Sequence, residues 1–382
     1  MNIICASSLA LGREIFSTLG EVTVMAERDI DAAAVRDADA LIIRSKVRVN
    51  RELLEGSRVS FVGTATAGTD HLDLPWLEER GIAWTAAPGC NARSVAEYVV
   101  AALLRLAVRH HFALDGKCLA LVGVGHVGRR LADLAPVLGL KVLLNDPPRQ
   151  AAEGLATLRP LDEILPQADL VSLHVPLTLA GDYATRHLVD CRFLSALKPG
   201  CLFVNASRGE VVDEESLLLA RDRGYISRAV LDVFEHEPRL RREVAAQADL
   251  VSPHIAGYSY EGRVNGTHLC YEEACRFFEK EAVWRPAPAD RPVCPAIQVD
   301  ARGLLPEEAL DAVVRAAYDI EVDDAALRAG LVEDDVERGR HFQKLRTLYP
   351  NRYEFGAWPV ELTGGDDLLR TRVRALGFNL RD

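Results

Sequence analysis

The 382-residue sequence lacks any apolar run long enough to cross a membrane, because its longest uncharged apolar stretches have only the length of a β-strand. Residues 1–5 have neither a basic region nor a cleavage site, and they predict a first strand instead of a signal peptide. The net charge of −11 disfavours a nucleic-acid partner, which requires a basic face. We therefore expect no membrane and no nucleic-acid partner, although a few local arginines would suffice to bind a small anionic substrate.

The sequence also lacks C-x-x-C pairs, although it contains eight cysteines, at positions 5, 90, 118, 191, 201, 270, 275 and 294. Several of them lie inside apolar strand patterns, so we expect buried thiols in a reducing cytoplasm, with no disulfides and no metal site. The remaining composition, 49% hydrophobic and 26% charged, is typical of a globular protein. The length predicts two or three domains.

Strand-length and helix-length patterns alternate along most of the chain, which predicts parallel sheets covered by helices. The predicted strands of a first α/β part are residues 2–5, 40–43, 59–63 and 82–86. Those of a second part begin at residue 119 and continue with residues 142–146, 170–174, 201–205, 229–233 and 250–252. The predicted long helices are residues 9–19, 94–108 (with Asn91 or Ser94 as cap) and 261–279. Residues 285–292 are proline-rich and form the one linker-like segment.

A glycine-rich turn follows the apolar strand that starts at residue 119. Gly123, Gly125 and Gly128 stand in G-x-G-x-x-G spacing, and a helix-like run comes directly after them. The first glycine permits a tight turn, the second lets the backbone approach a pyrophosphate, and the third lets the helix pack closely on its strand. The amides of the helix N-terminus would then point at the phosphates. The pattern predicts a dinucleotide-binding site.

An acidic residue ends the next strand. Asp146 is placed to accept hydrogen bonds from the ribose hydroxyls of the dinucleotide, and its charge would repel a 2′-phosphate. The predicted cofactor is therefore NAD and not NADP. Arg149 lies close by in the sequence and is the one cation that could favour a 2′-phosphate.

Polar clusters follow the later strands of the same sheet, and ligands of open parallel sheets bind beyond the carboxyl ends of the strands. The clusters are residues 174–178, 205–209, 232–238 and 253–258. The residues that we predict to bind the cofactor lie in the glycine turn and in these clusters: Gly123, Gly125, His126, Val127, Gly128, Asp146, Val175, Pro176, Ala206, Ser207, Asp232 and Gly257. Asp232 could hold the nicotinamide carboxamide or simply cap a loop, and the sequence leaves both roles open.

The clusters also contain the groups that hydride transfer from a hydroxy acid requires. Arg208 could fork two hydrogen bonds to a carboxylate or carbonyl, and His254 could take the hydroxyl proton near neutral pH. A carboxylate should orient that imidazole, and either Glu235 or Glu237 could serve, because spacing alone does not choose between them. Each residue alone is also consistent with an ordinary loop position. Their succession at strand ends of one sheet favours a catalytic set.

At these clusters the sequence resembles the D-isomer-specific 2-hydroxyacid dehydrogenases, over roughly residues 40–280. The shared patterns are the glycine turn, N-x-x-R-G at 205–209, D-V-F-x-x-E-P at 232–238, and Pro253-His254, in the family's order. The resemblance implies that Arg208, Glu237 (not Glu235) and His254 are catalytic. One departure is Ala256, where the family usually has glycine.

The resemblance also implies the fold and the division into domains. Two doubly wound parallel-sheet domains (Rossmann or flavodoxin-like) are expected, with the NAD-binding domain, residues 96–255, inserted into a substrate-binding domain formed by residues 1–95 and 256–286. A smaller α+β domain, residues 287–382, resembles a dimerisation domain and not the regulatory amino-acid-binding domain of many phosphoglycerate dehydrogenases. A homodimer is expected.

Substrate-binding residues are implied in the same way. The loop 64–68 resembles the family loop whose backbone amides bind the substrate carboxylate, and it is also consistent with a plain turn of small residues. Arg44 and Ser45 end a strand that the pattern predicts to be buried, and Arg346 could reach in from a partner subunit or be an exposed helix charge. The predicted set is Arg44, Ser45, Thr66, Ala67, Gly68, Tyr258 and Arg346.

The function that we expect is NAD-dependent oxidation of the 2-hydroxyl of a small phosphorylated hydroxy acid. Another 2-hydroxyacid dehydrogenase, such as one acting on 3-phosphoglycerate, is the nearest alternative. A non-catalytic NAD sensor with the same fold is the alternative from a different class. The presence of Arg208, Glu237 and His254 together disfavours the sensor.

Overall fold

The computed structural model describes residues 1–285 and 294–381. Contacts between Cα atoms divide these residues into two units, one formed by residues 1–92 and 258–285 and the other by residues 93–257 and 294–381. Apart from Arg285, the predicted linker 285–292 lies outside the described residues, and so does the predicted domain boundary at 286/287.

The first unit is built on a parallel sheet with strand order β2–β1–β3–β4–β5. Its strands are β1 (Asn2–Ala6), β2 (Glu21–Met25), β3 (Ala40–Ile43), β4 (Phe61–Thr64) and β5 (Ala83–Thr85). The short helices between them are α1 (Gly12–Phe16), α2 (Arg51–Leu54) and α3 (Leu74–Glu79). The predicted strands are confirmed within two residues at either end. The strand β2 was missed, and the helix predicted over residues 9–19 is only one turn and a half long.

The helix α4 (Ala92–Arg109) opens the second unit. It carries apolar residues on every side, and nearly all of its side chains are buried, Tyr98 among them. The prediction of this helix is confirmed, but it starts at Ala92, so Ser94 lies inside the first turn and does not cap it.

The second unit contains a parallel sheet with strand order β11–β10–β9–β8–β6–β7. Its strands are β6 (Cys118–Val122), β7 (Lys141–Asn145), β8 (Leu170–Leu173), β9 (Cys201–Asn205), β10 (Ile226–Leu231) and β11 (Leu250–Val251). The helices between them are α5 (His126–Leu134), α6 (Pro147–Glu153), α7 (Leu161–Ile164), α8 (Cys191–Ser195), α9 (Glu214–Asp222) and α10 (Arg242–Gln247). The order of the strands reverses at β6, which places the glycine turn at the switch point of a doubly wound sheet.

The long helix α11 (Tyr260–Phe277) belongs to the first unit and packs on its sheet, where Tyr271 and Cys270 are fully buried. The C-terminal part of the second unit has a small parallel sheet, order β12–β13–β14, formed by β12 (Ile297–Asp300), β13 (Pro359–Thr363) and β14 (Asn379–Arg381). Its helices are α12 (Pro306–Ala317), α13 (Ile320–Arg328), α14 (Asp335–Thr347) and α15 (Asp367–Ala375). The expected α/β fold with a smaller C-terminal sheet and helices is confirmed.

Two general features bear on function. Within the described residues, no helix combines the length and the apolar character that crossing a bilayer requires. That part of the chain contains all eight cysteines and no disulfide among them, and no cluster of three or more histidine, cysteine or carboxylate side chains there could hold a metal ion.

Candidate active site

The glycine turn between β6 and α5 has the geometry that a dinucleotide requires. Gly123 has φ +91°, and a Cβ there would lie 2.6 Å from the carbonyl oxygen of His174. A Cβ on Gly128 would overlap the carbonyl of Gly123, so only glycine lets α5 start this close to its strand. A Cβ on Gly125, by contrast, would meet no protein atom within 4 Å. The backbone at Gly125 is therefore open on the side where a pyrophosphate would approach, and the turn fits a dinucleotide.

The other residues predicted for this part of the cofactor site surround the turn. His126 and Val127 form the first turn of α5, with Gly125 as its N-cap. The side chain of Val175 lies against Gly123, and the carbonyl of Pro176 accepts a hydrogen bond from Thr185 Oγ1. These predicted cofactor-binding residues are thus grouped at one end of the sheet.

Asp146 binds the glycine turn itself. Its Oδ2 accepts the amide of Val124 at 2.8 Å, and its Oδ1 caps α6 by accepting the amide of Arg149 at 3.1 Å. The guanidinium of Arg149 donates hydrogen bonds to the carboxylate of Glu153 at 2.6 and 2.7 Å and to the carbonyl of Val124 at 2.7 Å. Because Arg149 would have to give up these bonds to bind a 2′-phosphate, the arrangement favours NAD.

Two substitutions in the glycine turn distinguish its contribution to stability from its contribution to cofactor binding. Gly128→Ala should lower the melting temperature, because the new methyl group overlaps a backbone carbonyl, with an expected loss of about 1–3 kcal/mol. Gly125→Ala should leave the melting temperature of the cofactor-free protein unchanged and weaken NADH binding about 10-fold or more, because the methyl group projects toward the pyrophosphate. Thermal unfolding and NADH fluorescence titration measure both effects. Equal effects of the two variants on stability would contradict this account.

The loop after β9 carries Arg208. The side chain of Asn205, 1% exposed, accepts the amide and hydroxyl of Ser207 at 3.0 and 2.8 Å and donates to the carbonyl of Arg208 at 3.0 Å. The half-buried Arg208 side chain donates from Nη1 to the carbonyl of Ser207 at 2.8 Å. Ala206 is half-buried in the same loop. The N-x-x-R-G pattern therefore builds a fixed loop that presents one guanidinium.

The carboxyl ends of β9, β10 and β11 bring the predicted catalytic loops side by side. The amide of Asp232 donates to the carbonyl of Asn205 at 3.0 Å, and the amide of His254 donates to the carbonyl of Asp232 at 2.7 Å. Gly209 sets the approach of the first two loops, because a Cβ there would overlap the carbonyl of Phe234.

His254 and Glu237 form a direct hydrogen bond. The Nδ1 atom of His254 lies 2.8 Å from Oε2 of Glu237, and the side chains are 30% and 19% exposed. Because an ionised carboxylate only accepts, Nδ1 must carry the proton, which leaves Nε2 of the neutral ring as an acceptor. The second oxygen of Glu237, Oε1, accepts the amide of Phe234 at 3.0 Å and so fixes the carboxylate. The pair can take up a proton at Nε2.

Glu235, the other carboxylate that spacing allowed, faces a different histidine. Its Oε1 lies 2.6 Å from Nε2 of His187, and its own amide donates to Glu214 at 3.0 Å. The geometry therefore pairs Glu237 and not Glu235 with His254, as the family resemblance implied.

Glu237 is ionised at neutral pH. Burial alone would raise the pKa of this carboxyl, but the charge and hydrogen bond of His254, the charge of Arg346 and the amide of Phe234 together lower it below its ordinary value. Arg346, which lies in α14, therefore acts on the pair from within the same chain. The role of Arg346 in substrate binding, from this chain or from a partner subunit, stays a prediction.

Asp232 serves the His254 loop. It is 1% exposed, and its oxygens accept the hydroxyl of Ser252 at 2.6 Å and the amides of Ile255 and Ala256 at 2.8 and 2.9 Å. The sequence left two roles open for Asp232, capping a loop and holding the nicotinamide carboxamide. The structure shows the loop contacts, and the contact with the carboxamide stays a prediction. Gly257, predicted for the cofactor, lies in the same loop.

Tyr98 of α4 extends this network, and sequence reasoning missed it. Its hydroxyl lies 2.7 Å from Ser252 Oγ and must donate, because Ser252 gives its own proton to Asp232. A buried tyrosine in an apolar helix pattern gives no sequence signal of such a role.

In the first unit, Arg44 follows β3 and lies over Tyr258. The guanidinium carbon is 5.3 Å from the ring centroid, within cation–π range. The Nε atom of Arg44 is buried and has no hydrogen-bond partner among the described residues. Ser45 is exposed, and its side chain makes no hydrogen bond within that part of the chain. Arg44 and Tyr258 are thus brought together as a cationic site, and the exposed Ser45 follows Arg44 directly in the chain.

The loop after β4 is ordered by a chain of hydroxyls. Thr66 donates to the carbonyl of Gly68 at 2.9 Å, so it must accept from Thr64, which in turn accepts from Nε2 of His71, each over 2.9 Å. The backbone between them, at the exposed Ala67, keeps a defined shape. The loop is therefore built to present its backbone. Sequence reasoning missed the role of His71 in holding it.

His174, directly after β8, is a half-buried neutral histidine beside the glycine turn. Its Nε2 lies 2.9 Å from Ser172 Oγ, and its buried Nδ1 has no partner among the described residues. Burial lowers the pKa of His174 from 6.5 to about 3. Below pH 6.5 the unfolded chain binds a proton at His174 that the folded protein does not bind. His174 therefore contributes to the free energy of unfolding above pH 6.5, and this contribution is lost as the pH falls toward 3.

This pKa shift predicts an acid-sensitive fold. Between pH 6.5 and 5 the cofactor-free protein should lose about 1–2 kcal/mol of unfolding free energy through His174, at up to about 1.4 kcal/mol per pH unit. His174→Gln keeps a donor toward Ser172 and removes the titrating ring. Urea unfolding across this pH range should therefore show a shallower acid loss for the variant. Parallel curves for the two proteins would contradict the assignment.

A glycine turn at the switch point of a doubly wound sheet, followed at the strand ends by an arginine and a histidine–carboxylate pair, defines a nicotinamide-dependent dehydrogenase. Residues 98–256 match the family described as D-isomer specific 2-hydroxyacid dehydrogenase, NAD binding domain, and residues 292–377 match a domain of unknown function.

Known proteins are similar over the whole chain. Erythronate-4-phosphate dehydrogenase of Chromohalobacter salexigens is 42% identical over 386 residues, covering 100% of this chain and 99% of that protein. Its namesake from Ectopseudomonas mendocina is 43% identical over 380 residues, covering 99% of each. The crystal structure of D-lactate dehydrogenase from Aquifex aeolicus, complexed with NAD and lactic acid, matches with a TM-score of 0.61 and 25% identity, covering 73% of this chain and 96% of that one.

The chain therefore belongs to the erythronate-4-phosphate dehydrogenase family, within the D-isomer-specific 2-hydroxyacid dehydrogenases. It is an NAD-dependent oxidoreductase, and the predictions of enzyme class and cofactor are confirmed. The individual roles of the site residues stay predictions.

Proposed function

We propose that the protein oxidises the 2-hydroxyl of 4-phospho-D-erythronate to 2-oxo-3-hydroxy-4-phosphobutanoate, a reaction of pyridoxal 5′-phosphate biosynthesis. The observation that carries the chemistry is the His254–Glu237 hydrogen bond, which leaves Nε2 of His254 ready to accept the hydroxyl proton. The names of relatives that match from end to end support the choice of substrate.

The catalytic roles follow from the charges of the groups. His254 takes the hydroxyl proton at Nε2, and ionised Glu237 stabilises the imidazolium that forms. Arg208 holds the substrate carboxylate or the developing carbonyl with its planar fork of donors. Bound NAD would supply the hydride acceptor for C2. The chain would hold it through the glycine turn, Asp146 and the loops at Val175, Pro176, Ala206, Ser207, Asp232 and Gly257.

The substrate itself presents two anionic ends. We assign its carboxylate to the backbone of Thr66, Ala67 and Gly68, whose loop is held in shape by hydroxyl hydrogen bonds. For its phosphate the candidates are Arg44, beside Tyr258, in the first unit and Arg346 in the second unit, because a phosphate pairs well with guanidinium groups. Ser45 is a further hydroxyl donor beside Arg44.

The proposal includes a cytoplasmic homodimer formed through the C-terminal domain, residues 287–382. Large apolar side chains that are more than half exposed support an interface there, namely Leu305, Val322, Leu348 and Leu368. The absence of disulfides among the eight cysteines supports a reducing compartment. Sedimentation velocity on the wild type and on Leu348→Asp tests the dimer.

Substrate profiling tests the activity. NADH formation at 340 nm is measured with 4-phosphoerythronate, unphosphorylated erythronate and 3-phosphoglycerate, with a 2-oxo acid added in case bound NADH does not leave. We expect kcat/KM for 4-phosphoerythronate to exceed that for erythronate about 10³-fold or more, because erythronate lacks the phosphate that pairs with the half-buried guanidinium groups. Preference for another acid would reject the substrate. NADH binding without turnover of any acid would favour an NAD-sensing protein.

A further inference from the structure

The C-terminal part of the second unit sends one buried arginine to the loop that carries His254. Arg352, 8% exposed, donates from Nη2 to the carbonyl of Ala256 and, at 3.2 Å, to the carbonyl of Ser94. Ala256 is the second residue after His254, and Ser94 lies in the first turn of α4. One guanidinium therefore joins two backbone segments that are far apart in sequence.

The same loop is held on its other side by Asp232. Oδ2 of Asp232 accepts the amide of Ala256 at 2.9 Å, so Ala256 has an anion at its N–H and a cation at its carbonyl. These two contacts of Ala256 lie next to a strained part of the backbone. His254 has φ +55°, a left-handed conformation that residues other than glycine rarely adopt. Such a conformation persists only where surrounding contacts determine it.

Arg352 is itself held by neighbours from the C-terminal part. Its guanidinium carbon lies 4.5 Å from the ring centroid of Tyr318. The hydroxyls of Tyr318 and Tyr349 donate to Asp323 at 2.8 and 2.9 Å. Burial alone would lower the pKa of Arg352, but Tyr318, Tyr349 and Asp323 outweigh it and raise that pKa. The cation is thus permanent and its position is fixed.

A second connection runs from the same group to the loop. The ring of Tyr318 packs on Tyr98, with centroids 6.3 Å apart, and Tyr98 donates to Ser252, which donates to Asp232. Both connections therefore end on residues 252–256, the segment that contains His254.

We propose that Arg352 is a positioning residue for the dehydrogenase reaction, which fixes the left-handed His254 loop through the carbonyl of Ala256. This gives the C-terminal segment, matched by a domain of unknown function, a role in the active site of its own chain. The inference rests on the role of His254 proposed above, and Arg352 itself touches neither substrate nor cofactor in this account.

Arg352→Lys and Arg352→Met test the inference in the full-length protein. We expect kcat with 4-phosphoerythronate, per NADH-binding site, to fall about 10-fold in the lysine variant and about 10²-fold in the methionine variant, since a small misplacement of the base is costly. The KM for NAD should stay within about 3-fold, because the glycine turn is untouched. Hydrogen exchange of the Ile255 and Ala256 amides should accelerate about 10-fold in the cofactor-free protein.

Arg328→Lys is the matched control. Arg328 is also a C-terminal arginine that donates to two carbonyls of the earlier part of its unit, those of Ala245 and Ala248, and pairs with Asp324. Its loss should leave kcat and the exchange of residues 255–256 unchanged. Because Arg352→Met removes a cation that acts on the half-buried carboxylate of Asp323, Arg352→Met/Asp323→Asn provides a variant without that carboxylate.

The inference would be overturned by an unchanged kcat per binding site in both Arg352 variants, or by unchanged exchange at Ile255 and Ala256. An equal loss of kcat in Arg328→Lys would also overturn it, since the effect would then be one of general stability. If the wild type oxidises no acid, the proposed function fails, and the exchange measurement alone decides whether Arg352 fixes the loop.

Discussion

Replacing His254 by asparagine should lower kcat for 4-phosphoerythronate by about 10³-fold, because the reaction loses the group that accepts the hydroxyl proton. Glu237→Gln should cost about 10²-fold, since the neutral amide cannot stabilise the imidazolium and no longer selects the tautomer with the proton on Nδ1. NADH binding should be retained in both variants. Steady-state kinetics and fluorescence titration of NADH measure the two quantities on the same preparations.

Glu235→Gln is the control that this chain provides. The two glutamates lie two positions apart, but Glu235 faces His187, so its loss should change kcat less than about 3-fold. A loss in Glu235→Gln as large as that in Glu237→Gln would mean that the distinction between the two carboxylates has no functional meaning. Full activity of His254→Asn would remove the acid–base role and favour the sensor.

The success of sequence reasoning for the fold has a physical basis. Strands buried on both faces, such as Ala40–Ile43 and Cys201–Asn205, give continuous apolar runs, and their bounds were predicted to the residue. The strand Glu21–Met25 was missed because it lies at the edge of its sheet, with only one fully buried residue and hence little apolar signal. The helix α4 was recognised by its unbroken apolar composition.

For the candidate site too, some residues could be predicted from the sequence and others could not. Groups on the same short segment, such as Gly123, Gly125 and Gly128, could be predicted because their spacing alone determines the geometry. The choice between Glu235 and Glu237 required the family resemblance, since it depends on where the loop turns. Tyr98 and Arg352 could not be found at all, because each meets the His254 loop through tertiary packing over a long sequence separation.

Gly209→Ala should lower kcat/KM by about 10²-fold or more, although no side chain of the site is removed. The added methyl group would overlap the carbonyl of Phe234, so the loop of Arg208 must move away from the loop of Glu237. A shift of this kind misplaces Arg208 relative to His254, and a misplacement of about 1 Å is enough for such a loss. The overlap should also cost about 1–3 kcal/mol of unfolding free energy.

Gly356→Ala is the matched control for this substitution, because a Cβ there would meet its nearest neighbour, the carbonyl oxygen of Gly377, at an ordinary 3.6 Å. It should leave kcat/KM and the melting temperature unchanged. To separate misplacement of Arg208 from partial unfolding, kcat of the Gly209→Ala variant is divided by the measured number of NADH-binding sites. Both are measured well below the melting temperature of the variant. Wild-type kcat/KM per site would show that the two loops do not have to approach each other this closely, and that Arg208 acts independently of the His254–Glu237 pair.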